Sequence, residues 1–502
     1  MQKEKELGID FDLSPIFKPD SIAVVGVSRK SYLNPGSIIY LKNLFEMNLG
    51  KRTYAINPHG GELEGREVYT QVSKLPEVPD VAVIAVPPKI AIRSIKDCIN
   101  FGVKGLIVIS GGFAETGKEG LQIQNEIAAL CYDSETPLIG PNCVGVYHHP
   151  YIDTIFLPTE KLVLPNGGNV SIVSQSGGVL LDQFFLSFKE REIGISSAIS
   201  IGNKAVINEV HMLDYFMNDK ETDVIAFYIE GFSNHEGREF LAASKKTQKD
   251  IVIYHGGISE KGKRAVESHT ASLTSDAALA KGAFKQYGII QPHTEEEVLN
   301  YIKTYSVLSQ SRNPLDFSQL FPGRVAVVTV SGGHGVVCID LLSKYNLVPV
   351  EFNDNEIEEM KRRVGSNVAR IGAFKNPIDL TGATGDEDIV KILDYLFTLN
   401  KIDIILAIVV PYPPAITIQI GRRISLVARH HKKPLVCFVP YIEKYNLIRE
   451  SLDLYHVPVA HTVSETVQMA AAIRDKSRAV LRLAENKLTK DMLEVYTDYL
   501  NM

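Results

Sequence analysis

His269 stands in the stretch "AVESHTASLT", residues 265–274, among small and hydroxylated neighbours and shortly after the Gly-Gly of "IYHGG". A histidine that only packs more often sits among larger apolar side chains, and this one has room beside it for a bulky group. A neutral imidazole nitrogen can attack a phosphoryl centre, and the phosphoramidate it forms is reactive enough to pass the group on. The other ring nitrogen then needs an acceptor to fix the tautomer. Glu230, closing the run "DVIAFYIEG", is the candidate, with a surface ion pair at a strand end as its alternative. On local sequence alone, His269 serves equally well as a hydrogen-bonded structural histidine.

Two turns have the make-up of phosphate cradles. "SIVSQSGGVLLD" reads as a strand, a Ser/Gly turn holding Ser174, Ser176, Gly177 and Gly178, and the start of an apolar helix. "VVTVSGGHGVVCIDLL" repeats the plan with Ser331, Gly332, Gly333 and Gly335. Such turns leave backbone N–H groups open at a helix N-terminus, where the dipole adds partial positive charge. Either turn alone is structural nearly as often as functional. The pair, facing one phosphoryl group from two sides, is the stronger signal. A third turn, "AVVGVSRKSYLNPGS", follows a strand with Gly26, Ser28 and Arg29, a small loop with a hydroxyl and a cation. It lacks the G-x-G-x-x-G triplet, which counts against a nicotinamide dinucleotide and leaves another adenine nucleotide open.

Elements able to position these turns recur along the chain. Short β-branched runs alternate with segments of helical period, the pattern of parallel sheets covered by helices. The first set is "SIAVVGV", "RTYAIN", "VAVIAVP", "GLIVIS" and "TPLIG"; the second is "GNVSIVSQSGG", "ISSAISIG", "DVIAFYIEG", "KDIVIYHGG" and "YGIIQ". After the polar joint "LSQSRNPLDFSQLFPG" come "RVAVVTVSGGHG", "LVPVEF", "IDIILAIVVPYPP", "KPLVCFVP" and "VPVAHT". In open sheets of this kind ligands sit at the carboxyl ends of the strands. A chain of 502 residues allows roughly three such domains.

Composition narrows the partners. Hydrophobic residues make up 45% and charged residues 22%, and 53 basic against 59 acidic side chains give a net charge of -6, no field for drawing in nucleic acid or anionic membrane. Five scattered cysteines without a C-x-x-C pair argue against a disulfide framework or cysteine zinc site and for a reducing compartment. No signal-type leader and no apolar run of about 18 residues is read, so a cytoplasmic protein without a metal site is expected.

In order along the chain, "SIAVVGVS", "INPHGGELEG", "AVIAVPP", "LIVISGGFAE", "GPNCVGV", "SIVSQSGG", "SIGNKA", "YIEG", "SHTASL", "VTVSGGHG" and "NPIDLTG" resemble the motifs of the nucleoside-diphosphate-forming acyl-CoA synthetases, relatives of succinyl-CoA synthetase. The resemblance runs from about residue 18 to 480 and is similar to the α chain of the ADP-forming acetyl-CoA type. It implies an α/β protein of three doubly wound domains. These are a Rossmann-like CoA-binding domain over 1–148, a phosphohistidine-bearing, succinyl-CoA synthetase-like domain over 149–306 and a flavodoxin-like ligase-CoA domain over 318–480, with a helical tail over 481–502. It implies conversion of a small carboxylic acid, CoA and ATP to acyl-CoA, ADP and phosphate through an acyl phosphate and a phosphohistidine. His269 then falls at the phosphohistidine, Glu230 at the carboxylate that orients it, and the two Ser/Gly turns at the helix N-termini around its phosphate. Gly26, Ser28, Arg29, Asn57, Pro58, Val86, Pro87 and Ser110 fall along the CoA groove, and Asn142 with Cys143 near the thiol and acyl group, Cys143 reading as an unreactive cysteine in a tight loop.

Nothing in the chain resembles the ATP-grasp fold of this family. The resemblance therefore implies a separate ATP-grasp β subunit that brings ATP/ADP and Mg2+, a hetero-oligomer such as α2β2, no tightly bound cofactor, and no ATP turnover by this chain alone. Some positions depart from the family pattern: Ala271 replaces a glycine, His255 and His59 stand where lysines are usual, and Val206 and Asn208 replace acidic residues. These departures point to an acid with extra charge or bulk. Tyr147, His148, Tyr151 and Phe156 either shape its pocket or pack the domain joint. A CoA-binding regulatory or scaffolding chain without catalysis, and a nicotinamide-dependent oxidoreductase, are the readings from other classes.

Overall fold

The computed structural model describes residues 11–500 except 48, 50, 51, 234, 270–276 and 312, with side chains for all of these but 267–269, 277 and 486–500. The chain forms two units, residues 1–281 and 282–502. The first holds two sheets and the second holds one.

The first sheet is built from β1 (Ile22–Val25), β2 (Thr53–Ile56), β3 (Gly61–Leu63), β4 (Arg66–Tyr69), β5 (Val81–Ile84), β6 (Gly105–Val108) and β7 (Leu138–Ile139) in the order β3-β4-β2-β1-β5-β6-β7. All pairs are parallel except β3 with β4. Without β3, the spatial order is the 3-2-1-4-5-6 of a dinucleotide-type doubly wound domain, which reverses between β1 and β5. The physical cause is in the residues: β5 and β6 are buried at every position, as strands covered by helices on both faces must be.

The second sheet contains β8 (Val146–His148), β9 (Ile152–Asp153), β10 (Gly167–Ser174), β11 (Ile195–Ser200), β12 (Val224–Ile229) and β13 (Asp250–His255), ordered β13-β12-β10-β11-β8-β9. The four parallel strands run 2-1-3-4, the flavodoxin-like order, and an antiparallel hairpin, β8 and β9, closes the edge beside β11. The chain reaches this hairpin while leaving the first sheet. A buried ion pair fixes the joint: Lys42 Nζ of helix Pro35–Phe45 lies 2.6 Å from Asp153 Oδ2, and Asn43 Nδ2 donates to the Asp153 carbonyl at 2.6 Å. The expected strand "YGIIQ" is reduced to a single bridge residue, Ile290; after helix Ala277–Gln286 the chain turns at Gly288, whose φ of +73° lies in the left-handed region.

The third sheet holds β14 (Arg324–Thr329), β15 (Val348–Pro349), β16 (Ile378–Asp379), β17 (Ile404–Ile408), β18 (Leu435–Phe438) and β19 (Val459–Ala460). Its order β15-β14-β17-β18-β19 is again 2-1-3-4-5, and β16 pairs with β14. The helix that follows β19 runs without a break from Val463 to Leu500, so residues 481–500 continue a helix whose earlier turns are buried at Val467 and Met469–Ile473. Among the described residues, no helix is long and apolar enough to cross a membrane.

Candidate active site

The residues expected along the CoA groove meet at the carboxyl ends of β1, β2, β5 and β6. Gly26 sits at φ +104° with its Cα against the next strand: a Cβ there would lie 2.4 Å from the Ala85 carbonyl and 2.8 Å from Val86 Cγ1. Only glycine fits that approach. Asn57 Nδ2 donates to the Val27 carbonyl at 2.7 Å, tying the β2 loop to the β1 loop, and Pro58 is exposed beside it. The Ser28 amide donates to Ser37 Oγ at 2.9 Å, and the helix of that serine starts at Pro35 behind the side-chain cap of Asn34. Arg29 is exposed and reaches over Gly61, while Pro87 caps the start of helix Pro88–Phe101. Ser110 accepts the Asn142 amide at 2.9 Å, which brings the expected acyl-proximal loop to the same edge.

That loop is tightly held. Asn142 takes φ +57° and is exposed, whereas Cys143 is buried with its Sγ 3.4 Å from the Val108 carbonyl. Burial pushes the Cys143 thiol up to about 12, so it carries no thiolate near neutrality, as a structural cysteine should. Tyr147 and His148 lie on buried β8. His148 Nδ1 is 2.6 Å from Ser197 Oγ of β11 and its ring stacks on Tyr151, in the turn to β9, at 5.1 Å, both contacts within the second sheet.

The first Ser/Gly turn follows β10. Ser174 is buried and its hydroxyl donates to the Ser176 carbonyl at 2.6 Å, so it shapes the turn, while Ser176 Oγ accepts from Val179 N at 3.4 Å. Gly177 and Gly178 open the helical run that continues as the π-helical stretch Val179–Phe185, and first-turn N–H groups have no intrahelical acceptor. Gly177 packs on the acyl-proximal loop: a Cβ would come 2.3 Å from Val144 Cγ1. The turn therefore sits against the Asn142 segment, within one unit.

Glu230 lies at the end of β12, 9% exposed, and accepts a hydrogen bond from the Tyr228 hydroxyl at 3.3 Å. Burial and the Glu230 carboxylate both push the Tyr228 phenol pKa up, so the phenol remains a donor. Residues the sequence reading passed over anchor this strand end. Gln175 Oε1 accepts from both the Glu230 and Gly231 amides, and its Nε2 donates to the Gly231 carbonyl at 2.8 Å and to Glu209. Lys204 Nζ in turn contacts Glu209 at 3.0 and 3.1 Å, Glu236 at 2.9 Å and the Gly231 carbonyl at 3.0 Å, with all three side chains buried. Burial, aided by the nearby Glu236 and opposed by Lys204, drives Glu209 up to about 7. Gln175 lies inside "SQSGG" and Lys204 inside "GNKA", so the signal was their place within the motifs.

After β13, Gly256 and Gly257 lead to helix Glu260–His269, on whose last residue the chain places the expected nucleophile. The side chain of His269, and Ala271 with it, lie outside the described residues. The loop approaches Glu230's neighbour closely, since a Cβ on Gly256 would lie 2.6 Å from the Tyr228 hydroxyl. His255 is buried, and burial lowers its pKa, so the position where the resemblance expects a lysine holds a neutral ring at pH 7.

In the second unit, helix Gly332–Lys344 starts behind Ser331, whose hydroxyl does not cap it; Ser331 Oγ pairs instead with His334 Nδ1 at 2.9 Å. The His334 ring stacks on Phe438 at 5.7 Å. A Cβ on Gly332 would meet Asp379 Oδ2 at 2.9 Å and one on Gly335 would meet Pro377 at 2.9 Å, while Gly333 faces open space. The "NPIDLTG" segment is thus the wall of this turn.

Comparison with known proteins bears on the arrangement. Residues 20–149 match the family model described as a CoA binding domain, and residues 167–305 match that of the succinyl-CoA ligase-like flavodoxin domain. The chain is 33% identical over 405 residues to the α subunit of ADP-forming acetate–CoA ligase II of Pyrococcus furiosus, covering 79% of this chain and 82% of that one. It is 34% identical over 379 residues to the α subunit of the same organism's ligase I, covering 74% and 77%. Among solved structures, the dinucleotide-forming acetyl-coenzyme A synthetase 1 of Candidatus Korarchaeum cryptofilum, in complex with phosphate and ADP, superposes with a TM-score of 0.82 at 30% identity over 95% of this chain and 99% of that one. The three sheets, the Ser/Gly turns and these relatives agree: the chain belongs to the nucleoside-diphosphate-forming acyl-CoA synthetase family, with the α subunits of the ADP-forming acetate–CoA ligases.

Proposed function

We propose that this chain is the CoA-binding and phosphohistidine-bearing subunit of an acid–CoA ligase that works with an ATP-grasp β subunit supplying ATP/ADP and Mg2+. The observation that carries this reading is the Gln175 bridge. It joins the Ser/Gly turn after β10 to the backbone of Glu230 after β12, so that a phosphate cradle and a carboxylate form one hydrogen-bonded rim. Inorganic phosphate attacks the thioester carbonyl of acyl-CoA; the C–S bond breaks, CoA leaves as thiol and an acyl phosphate forms. The imidazole of His269 then attacks phosphorus, the P–O bond to the acyl group breaks and the carboxylate departs. Glu230 accepts from the second ring N–H and stabilises the positive charge that develops on the ring. The open amides of Gly177 and Gly178 receive phosphate oxygens. Reversal of these steps, starting from ATP on the partner, makes acyl-CoA. The groove of Gly26, Ser28, Asn57, Val86 and Pro87 holds CoA, and Asn142 faces the acyl end.

The test is labelling of the chain by radioactive inorganic phosphate in the presence of acetyl-, succinyl- or other acyl-CoA. Acid-labile, base-stable label in wild type that is lost in His269→Ala is the expected result, and the acyl-CoA that works names the acid. Absence of label with every acyl-CoA, with and without a β subunit, while CoA still binds, would overturn the proposal.

A further inference from the structure

One short segment touches both ends of the reaction path. Residues 201–205 turn from β11 under the acyl-proximal loop: Asn203 N donates to the Pro141 carbonyl at 2.9 Å and Ala205 N to the Gly140 carbonyl at 3.0 Å. Gly202, at φ +55°, lies so close to Pro141 and Asn142 that a Cβ would come 2.3 and 2.4 Å from their carbonyl oxygens. Asn203 faces the CoA-binding domain. Its Oδ1 accepts from Asn142 Nδ2 at 3.2 Å, and its Nδ2 donates to Glu115 Oε2 at 2.6 Å and Gln124 Oε1 at 3.0 Å. Glu115 holds the loop beneath by accepting the Gly112 and Phe113 amides through Oε1 at 2.6 and 3.2 Å. The next residue, Lys204, faces the other way, into Glu209, Glu236 and the Gly231 carbonyl beside Glu230. Its φ of +44° is a left-handed conformation that costs a non-glycine residue energy, so the surrounding contacts must impose it.

We propose that Asn203 and Lys204 are a pair of positioning residues: Asn203 sets the Asn142 amide at the acyl end, Lys204 holds the Gly231 carbonyl next to Glu230 at the phosphoryl end, and their shared turn keeps the two in register. The inference rests on the functional reading above. Both side chains are second to the groups that would touch substrate, and misplacing such groups by about 1 Å is enough to lose about a hundredfold in rate. The two positions should therefore have different kinetic signatures although they are adjacent in sequence.

The test follows phosphate labelling of His269 in the full chain, with its partner if required, for wild type, Asn203→Ala and Lys204→Arg, alongside CoA affinity and melting temperature. Lys204→Arg keeps the charge, so the buried carboxylates remain paired, but a planar guanidinium cannot reproduce the contacts of one ammonium. For Asn203→Ala the expected result is a rise of about tenfold or more in KM for acyl-CoA with CoA affinity unchanged, because the acyl end has lost its anchor while Glu115 keeps its bonds to the Gly112 and Phe113 amides. For Lys204→Arg a fall of about tenfold or more in the saturated labelling rate, with KM for acyl-CoA unchanged, is expected. Wild type without label would defeat the functional reading itself. Label in wild type, with variants that either match it or lose melting temperature, CoA affinity and rate together, would reduce the pair to fold support and overturn the inference.

Discussion

Lys204→Met isolates the electrostatics of the buried cluster. The ammonium lies between Glu209 and Glu236, whose side chains are 0 and 4% exposed, and it is the only cation either carboxylate meets among the ion pairs described. Removing one member of a buried ion pair costs about 3–5 kcal/mol, because the charge left behind stays desolvated. At the usual slope for domains of this size that is a fall in Tm on the order of 10 °C. The deficit should depend on pH, with a sign fixed by Glu209. Its carboxyl already binds a proton more tightly folded than unfolded, at about 7 against the ordinary 4.5, and loss of Lys204 raises the folded value further. A carboxyl raised on folding contributes stability below its unfolded pKa and loses it as pH climbs to the folded pKa. The variant's deficit should thus be smaller near about pH 5.5 and clearly larger by about pH 8, growing until the pH passes the variant's own folded pKa. Scanning calorimetry at both values, with Lys204→Met/Glu209→Gln as the companion, checks this. The glutamine carries no charge and should recover much of the loss at high pH. Equal deficits at both pH values, or a double variant no better than the single one, would refute the reasoning that the penalty is an uncompensated charge.

Other outcomes follow from close approaches. Gly177→Ala must push a methyl into Val144 and should abolish phosphate labelling, whereas Gly178→Ala, with no atom nearer than 4.0 Å, should leave the fold intact; equal effects would show that the Val144 contact is not limiting. Gly26→Ala combines φ +104° with a 2.4 Å approach to the Ala85 carbonyl and should weaken CoA binding by at least about tenfold, measured by equilibrium dialysis. Cys143, with its pKa near 12, should resist alkylation in the folded chain at pH 8, and Cys143→Ala should keep most activity; rapid alkylation would contradict its burial.

The sequence by itself determined the elements that local pattern controls. The continuous apolar runs at 81–84, 105–108, 404–408 and 435–438 become fully buried parallel strands because helices cover both faces and leave no polar side to alternate. The Ser/Gly turns were legible because backbone amides need small residues beside them, and Glu230 because it ends a strand. Tertiary structure decided what local pattern cannot carry. The strand β16 and the hairpins β3–β4 and β8–β9 are only two to four residues long, too short for a period, and exist because a neighbouring edge pairs with them. "YGIIQ" had a strand's composition but keeps only a single bridge residue, Ile290. Gln175, Asn203 and Lys204 were marked only by their place inside "SQSGG" and "GNKA", and their roles were not legible, since nothing local distinguishes a lysine buried against Glu209 and Glu236 from one in water. Only the fold, by bringing Asn142, Asn203, Glu209 and Glu230 together across two sheets, gives those side chains their partners and removes the solvent that would otherwise have satisfied them.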